Sequence, residues 1–119
     1  FLLRKENTRE FIISIYRNLQ DILAFFGTRR DKFISSRFYA LLVEEKYSID
    51  ANLFFNFTLE FEEAAYSSHL LEPNDASKVL KDYSDILEIL CSRRGKLAVL
   101  FIYLLSLFRR IPILSYKAD

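Results

Sequence analysis

The amino-acid sequence reads as an all-α domain, a compact bundle of about five helices, and three features say so. Only two Gly and two Pro occur in 119 residues, far below the roughly 7% and 5% of ordinary chains. Hairpins, sandwiches and barrels need turn residues every few positions, so this scarcity argues against them and favours long helices joined by short links. Half the chain is hydrophobic, with twelve Phe and seven Tyr, which is too apolar for disorder. The charged residues, 28% of the total, are spread too evenly for a polytopic membrane protein. Finally, apolar residues return at helical spacing in segment after segment.

The first helix opens at Asn7, with Glu10 three residues on as the partner in a capping box, or at Thr8. Phe11, Ile12, Ile15, Leu19, Ile22, Leu23 and Phe26 form its apolar stripe, with Arg9, Glu10, Arg17, Asn18 and Asp21 on other faces. Gly27 stops it. Thr28 and Asp31 restart the chain, and Phe33, Ile34, Phe38, Leu41 and Leu42 make a shorter stripe expected to face the core. Ser48 or Asp50 caps a third helix carrying Leu53, Phe54, Phe57, Phe61, Ala64 and Ala65. The stretch from Ser67 to Asn74 has turn composition. A fourth helix runs from about Asp75 to Ser92, burying Val79, Leu80, Tyr83, Ile86, Leu87 and Leu90, and Gly95 ends it. The fifth, about 96–109, is strongly apolar and is halted by Pro112.

One domain, 1–119, accounts for the length. The chain opens Phe-Leu-Leu-Arg-Lys and lacks Met, so it is expected to be a fragment of a longer protein. Apolar residues followed by Arg4 and Lys5 fit the cytoplasmic exit of an upstream transmembrane helix, or an ordinary domain boundary. Cys91 is the sole cysteine. An internal disulfide is therefore impossible, and a reducing compartment suits the chain.

The run Leu97–Phe108 has Ser106 as its one polar residue. Twelve residues make about 18 Å of helix, against a hydrocarbon core of ~30 Å. Extension to Leu114 would carry Arg109 and Arg110 through the bilayer at roughly 2.5–3.5 kcal/mol each near its centre. An ordinary span is not expected. The run is apolar on all sides, so three placements stay open: a central helix, a helix buried in a partner or a second copy, or a helix at a bilayer surface. Residues 93–119 hold six Lys/Arg against Asp119 alone, whereas residues 1–92 hold eleven against fifteen acids. Such basic flanks contribute about 1 kcal/mol per cation at an anionic surface.

No residue set specifies a reaction. Glu60 and Glu63 share a helix face, yet a di-metal bundle needs Glu-x-x-His from two helices, and His69, the one histidine, lies in the turn region. Both glutamates read as a solvated acidic face. Asp82, Asp85 and Glu88, with Lys78 and Lys81 four residues ahead of the two aspartates, read as a salt-bridged outer surface. Cys91 has no nearby histidine to activate it, and two glycines cannot build a phosphate loop. A sequence pI of about 8.0 is weakly basic for a nucleic-acid binder, and no helix shows a polar, basic face suited to a groove. No enzyme activity, cofactor, metal or nucleic-acid partner is expected.

Four stretches, REFIISIYRNLQDILAFFGTRR, KFISSRFYALL, FNFTLEFEEAAYSS and EPNDASKVLKDYSDIL, follow in an order that resembles the C-terminal domain of unknown function in membrane-anchored transglutaminase-like proteins. Tyr16-Arg17, Gly27, Arg29, Arg30, Glu63, Ala65, Tyr66 and Ser67 occupy the family's positions, over about residues 9–90. The Thr-Pro-x-Glu segment common before the family's second helix is replaced here by Arg30-Asp-Lys-Phe33, and residues 93–119 lie outside the resemblance. It implies a small helical domain at the cytoplasmic, inner face of a membrane, with the catalytic residues of such proteins elsewhere in the chain.

The expected function is therefore a non-catalytic interaction or scaffolding module, docking a protein partner or a second copy through Leu97, Leu100, Phe101, Leu104, Leu105 and Phe108, rimmed by Arg93, Arg94, Arg109 and Arg110. The alternative is a peripheral membrane binder whose basic-flanked C-terminal helix lies at the lipid surface.

Overall fold

The amphipathic stripes between residues 5 and 95 fold as four helices: α1 Lys5–Phe25, α2 Ser36–Tyr47, α3 Leu53–Tyr66 and α4 Pro73–Arg94. The structure is a computed structural model, and it describes residues 5–68 and 71–95. The expected fifth helix lies outside the described residues. Among these residues the architecture is all-helical, with α3 packed against the other three helices, α4 against α1, and α2 resting mainly on α3.

The core forms where the stripes of α1, α3 and α4 meet. Ile12, Ile15, Leu19, Ile22 and Leu23 of α1 and Val79, Tyr83, Ile86 and Leu90 of α4 are buried, as their spacing predicts. Tyr16 joins them and stacks on Phe61 of α3, with ring centroids 4.0 Å apart, and lies 5.6 Å from Phe57. Phe54 continues the aromatic seam to Tyr39 of α2 in an edge-on contact at 6.2 Å. Each such pair adds about 0.5–1.5 kcal/mol beyond the area it buries.

Helix ends depart from expectation in instructive ways. The helix α1 already runs from Lys5, so Asn7 and Thr8 sit inside it rather than capping it. Gly27 does end it: at φ +89° it lets the Thr28 N–H reach the Leu23 carbonyl at 2.9 Å, closing a Schellman-type turn. Asp31 does not start α2. Its carboxylate accepts from the Phe33 N–H at 2.9 Å in a local turn, and Ser35 is the cap, accepting from the Phe38 N–H at 3.1 Å. The cap of α3 is Asn52, not Ser48 or Asp50, and its side chain makes no capping bond. Glu44 of α2 supplies the missing acceptor, taking the Phe55 N–H at 2.8 Å. At the other end of α3, Arg9 of α1 donates to the Ala64 and Ser67 carbonyls. Orphan groups of α3 are thus satisfied by neighbouring helices. Pro73 opens α4 two residues before the expected start, and Asp75 accepts from the Glu72 N–H at 2.9 Å.

Candidate interaction surface

The largest correction concerns α2. Its buried face is Ser36, Tyr39, Ala40, Val43 and Tyr47, while Phe38, Leu41 and Leu42 of the stripe expected to face the core point outward and Ile34, ahead of the helix, packs against the core. Phe38 and Leu41 are each 51% exposed and Leu42 is 42% exposed. Two apolar faces compete on this helix, and polar pairing decides between them. Tyr39 donates its hydroxyl to the Thr28 carbonyl at 2.7 Å, and the Tyr47 hydroxyl lies 2.7 Å from Thr28 Oγ1. Lys46 Nζ donates to that same Oγ1 at 2.7 Å. Burial pushes the Tyr39 phenol well above its ordinary pKa. It stays neutral and keeps its proton for Thr28.

The outer face of α2 is therefore apolar along Phe38, Leu41 and Leu42. Arg37, 61% exposed although it holds Glu62 at 3.0 Å, stands at one end. Exposed Glu45 stands at the other. Before α2, the connection from α1 carries Phe33 at 84% exposure, with Lys32 Nζ 5.2 Å from its ring centroid.

Glu60 is not the solvated residue its spacing suggested. It turns into the seam between α3 and α4, where burial, a hydrogen bond to Asp82 and the charge of that carboxyl raise its pKa to about 7. Lys78, expected to serve Asp82 along its own helix, sits 3.5 Å from Glu60 and offsets part of the rise. Lys81 does pair with Asp85, at 3.0 Å. Beside Glu60 an open cleft of about 280 Å³ is lined by Ile12, Leu59, Glu63, Leu71, Asp75 and Val79 among others. Among the described residues, no group of three or more His, Cys, Asp or Glu side chains is placed to hold a metal ion.

Of the interaction residues expected from sequence, the structure describes the side chain of Arg93 alone. Its Nε donates to the Tyr47 carbonyl at 3.1 Å, so it ties the end of α4 to the end of α2. Arg94 closes α4, and Leu97, Leu100, Phe101, Leu104, Leu105, Phe108, Arg109 and Arg110 lie outside the described residues, as does His69. The exposed face of α2 is not legible in the sequence, because periodicity reports an apolar stripe and not the direction it faces. Cys91 is half-buried against the core, as a structural cysteine would be. Among the described residues, no helix is long and apolar enough to cross a membrane. The chain matches no family model, no curated protein and no solved structure.

Proposed function

We propose that this chain is a non-catalytic helical interaction module of a membrane-associated protein, and that it docks through the outer face of α2 onto a second copy of itself. One observation carries the reading: Phe38, Leu41 and Leu42 stand in water on a helix whose opposite face already fills the core. Contiguous exposed apolar side chains of this kind mark interfaces.

Charge supports the second copy as the occupant. Arg37 and Glu45 lie four residues either side of Leu41. Two copies of α2 crossing antiparallel about Leu41 set Arg37 of each against Glu45 of the other, which is the self-complementarity a two-fold interface requires. Three half-exposed side chains provide far less than the ~800 Å² per partner of a standard interface, so this contact is weak and reversible by itself. The apolar run Leu97–Phe108 and its arginines are a second docking surface in this reading. The resemblance to the domain of membrane-anchored transglutaminase-like proteins supports a setting at the cytoplasmic face.

Cross-linking tests the geometry. In a Cys91→Ala background, Leu41→Cys sits on the proposed two-fold axis, where Cβ atoms can approach the ~3.8 Å a disulfide needs. Mild oxidation should give a covalent dimer, while Arg17→Cys, exposed on α1, should not. Equal and slow cross-linking at both positions contradicts the reading.

A further inference from the structure

We infer that the corner between α1 and α2 is a second docking surface, and that its occupant is an anionic lipid bilayer. The inference rests on the membrane setting proposed above, but on different residues. Phe25, in the last turn of α1, is 63% exposed, and Phe33 in the connection is 84% exposed. Arg29, Arg30 and Lys32 converge on one recess with Gln20, Asp21 and Ala24 of α1. Arg29 and Lys32 are exposed, while Arg30 is half-buried and donates to the Ile34 carbonyl at 3.2 Å.

The local charge stands out against its surroundings. With Asp21, which lines the same recess, and Asp31, the corner holds three cations and two acids, whereas the rest of residues 1–92 holds eight cations and thirteen acids. Within residues 1–92, acidic in balance, that corner is where an anionic surface finds attraction. Rings at the level of the headgroups with cations beside the phosphates are the arrangement a bilayer interface favours.

The corner is also preorganised. Thr28 is held by Tyr39, Tyr47 and Lys46, and the turn is closed by Asp31 onto the Phe33 N–H. Phe33 is therefore presented with little ordering left to do on docking. A strand of nucleic acid could also stack on exposed rings, but a sequence pI of about 8.0 is weakly basic for a nucleic-acid binder, which favours lipid.

The whole chain lacks tryptophan, so Phe33→Trp places a single, selectively excited tryptophan at the corner. Vesicles of phosphatidylcholine, with and without phosphatidylserine, should be co-sedimented with the full 119-residue chain. Binding should require phosphatidylserine and fall steeply with salt. The probe should shift to shorter wavelength on those vesicles only. Arg29→Ala with Lys32→Ala should weaken binding about 25-fold, roughly fivefold per cation, and Phe33→Ala about tenfold. All these side chains are exposed, so an unchanged thermal melt confirms the variants fold. Binding that survives the substitutions overturns the corner and leaves the membrane setting standing. A wild-type chain that binds neither vesicle overturns both. Release of bound chain by a single-stranded oligonucleotide, with the probe unshifted on lipid, assigns the corner to nucleic acid instead.

Discussion

Replacing Glu60 by Gln should stabilise the domain at alkaline pH and do almost nothing at pH 5. Glu60 is pressed into the seam between α3 and α4 against Asp82, and its pKa rises from 4.5 to about 7. Folded chains therefore hold a proton there that unfolded chains release above about pH 4.5. Between these values the native state binds more protons, so unfolding free energy falls as pH rises, and the loss is complete above about pH 7. The shift sets a ceiling of about 3 kcal/mol. Partial access of water reduces this, and about 1–2 kcal/mol is the working figure. Gln matches the size and neutrality of the protonated acid and can donate to Asp82. For a body of this size, 1 kcal/mol moves Tm by roughly 4–8 °C. Melting curves by circular dichroism from pH 5 to pH 8.5 should show the Gln variant and the wild type diverging as pH rises. A constant offset, or a Gln variant less stable at pH 8, would refute the burial argument.

Two further substitutions probe the packing. The Tyr83 hydroxyl donates to Asn18 Oδ1 in the buried contact between α1 and α4, and Asn18 Nδ2 has no partner among the described residues. Tyr83→Phe leaves the amide oxygen bare as well, and should cost about 1–3 kcal/mol in chemical denaturation; an unchanged midpoint would show that the bond contributes nothing. On α2, Val43→Ala should cost about 1–2 kcal/mol while Leu42→Ala, one residue away, stays within about 0.5. The reverse order would mean that the helix is turned the other way.

Most of the fold could be read from residue spacing, and the exceptions share a cause. Helices α1, α3 and α4 each carry one apolar stripe, so periodicity alone assigns their buried faces, and Gly27 and Gly95 mark two of the ends. The helix α2 carries two stripes. Hydropathy favours Phe38, Leu41 and Leu42, but Tyr39 and Tyr47 reach Thr28, a partner that only the folded chain brings near. The same holds for Asn18, placed on a polar face by pattern but buried opposite Tyr83, and for Glu60, whose neighbour Asp82 comes from another helix. Caps behaved alike: Glu44 and Arg9 serve α3 from α2 and α1, and no local motif announces such service. Long-range polar contacts chose among patterns that local spacing left equal.

Sedimentation equilibrium of the full chain over a wide concentration range is the most direct test of docking through α2. The reading predicts a mass that rises reversibly from monomer toward dimer, is returned to monomer by Leu41→Glu, and falls with Glu45→Arg but recovers when Arg37→Glu is added. A monomer at every concentration up to about 1 mM, where even a contact worth about 4 kcal/mol would be half occupied, contradicts it. So does a dimer indifferent to Leu41.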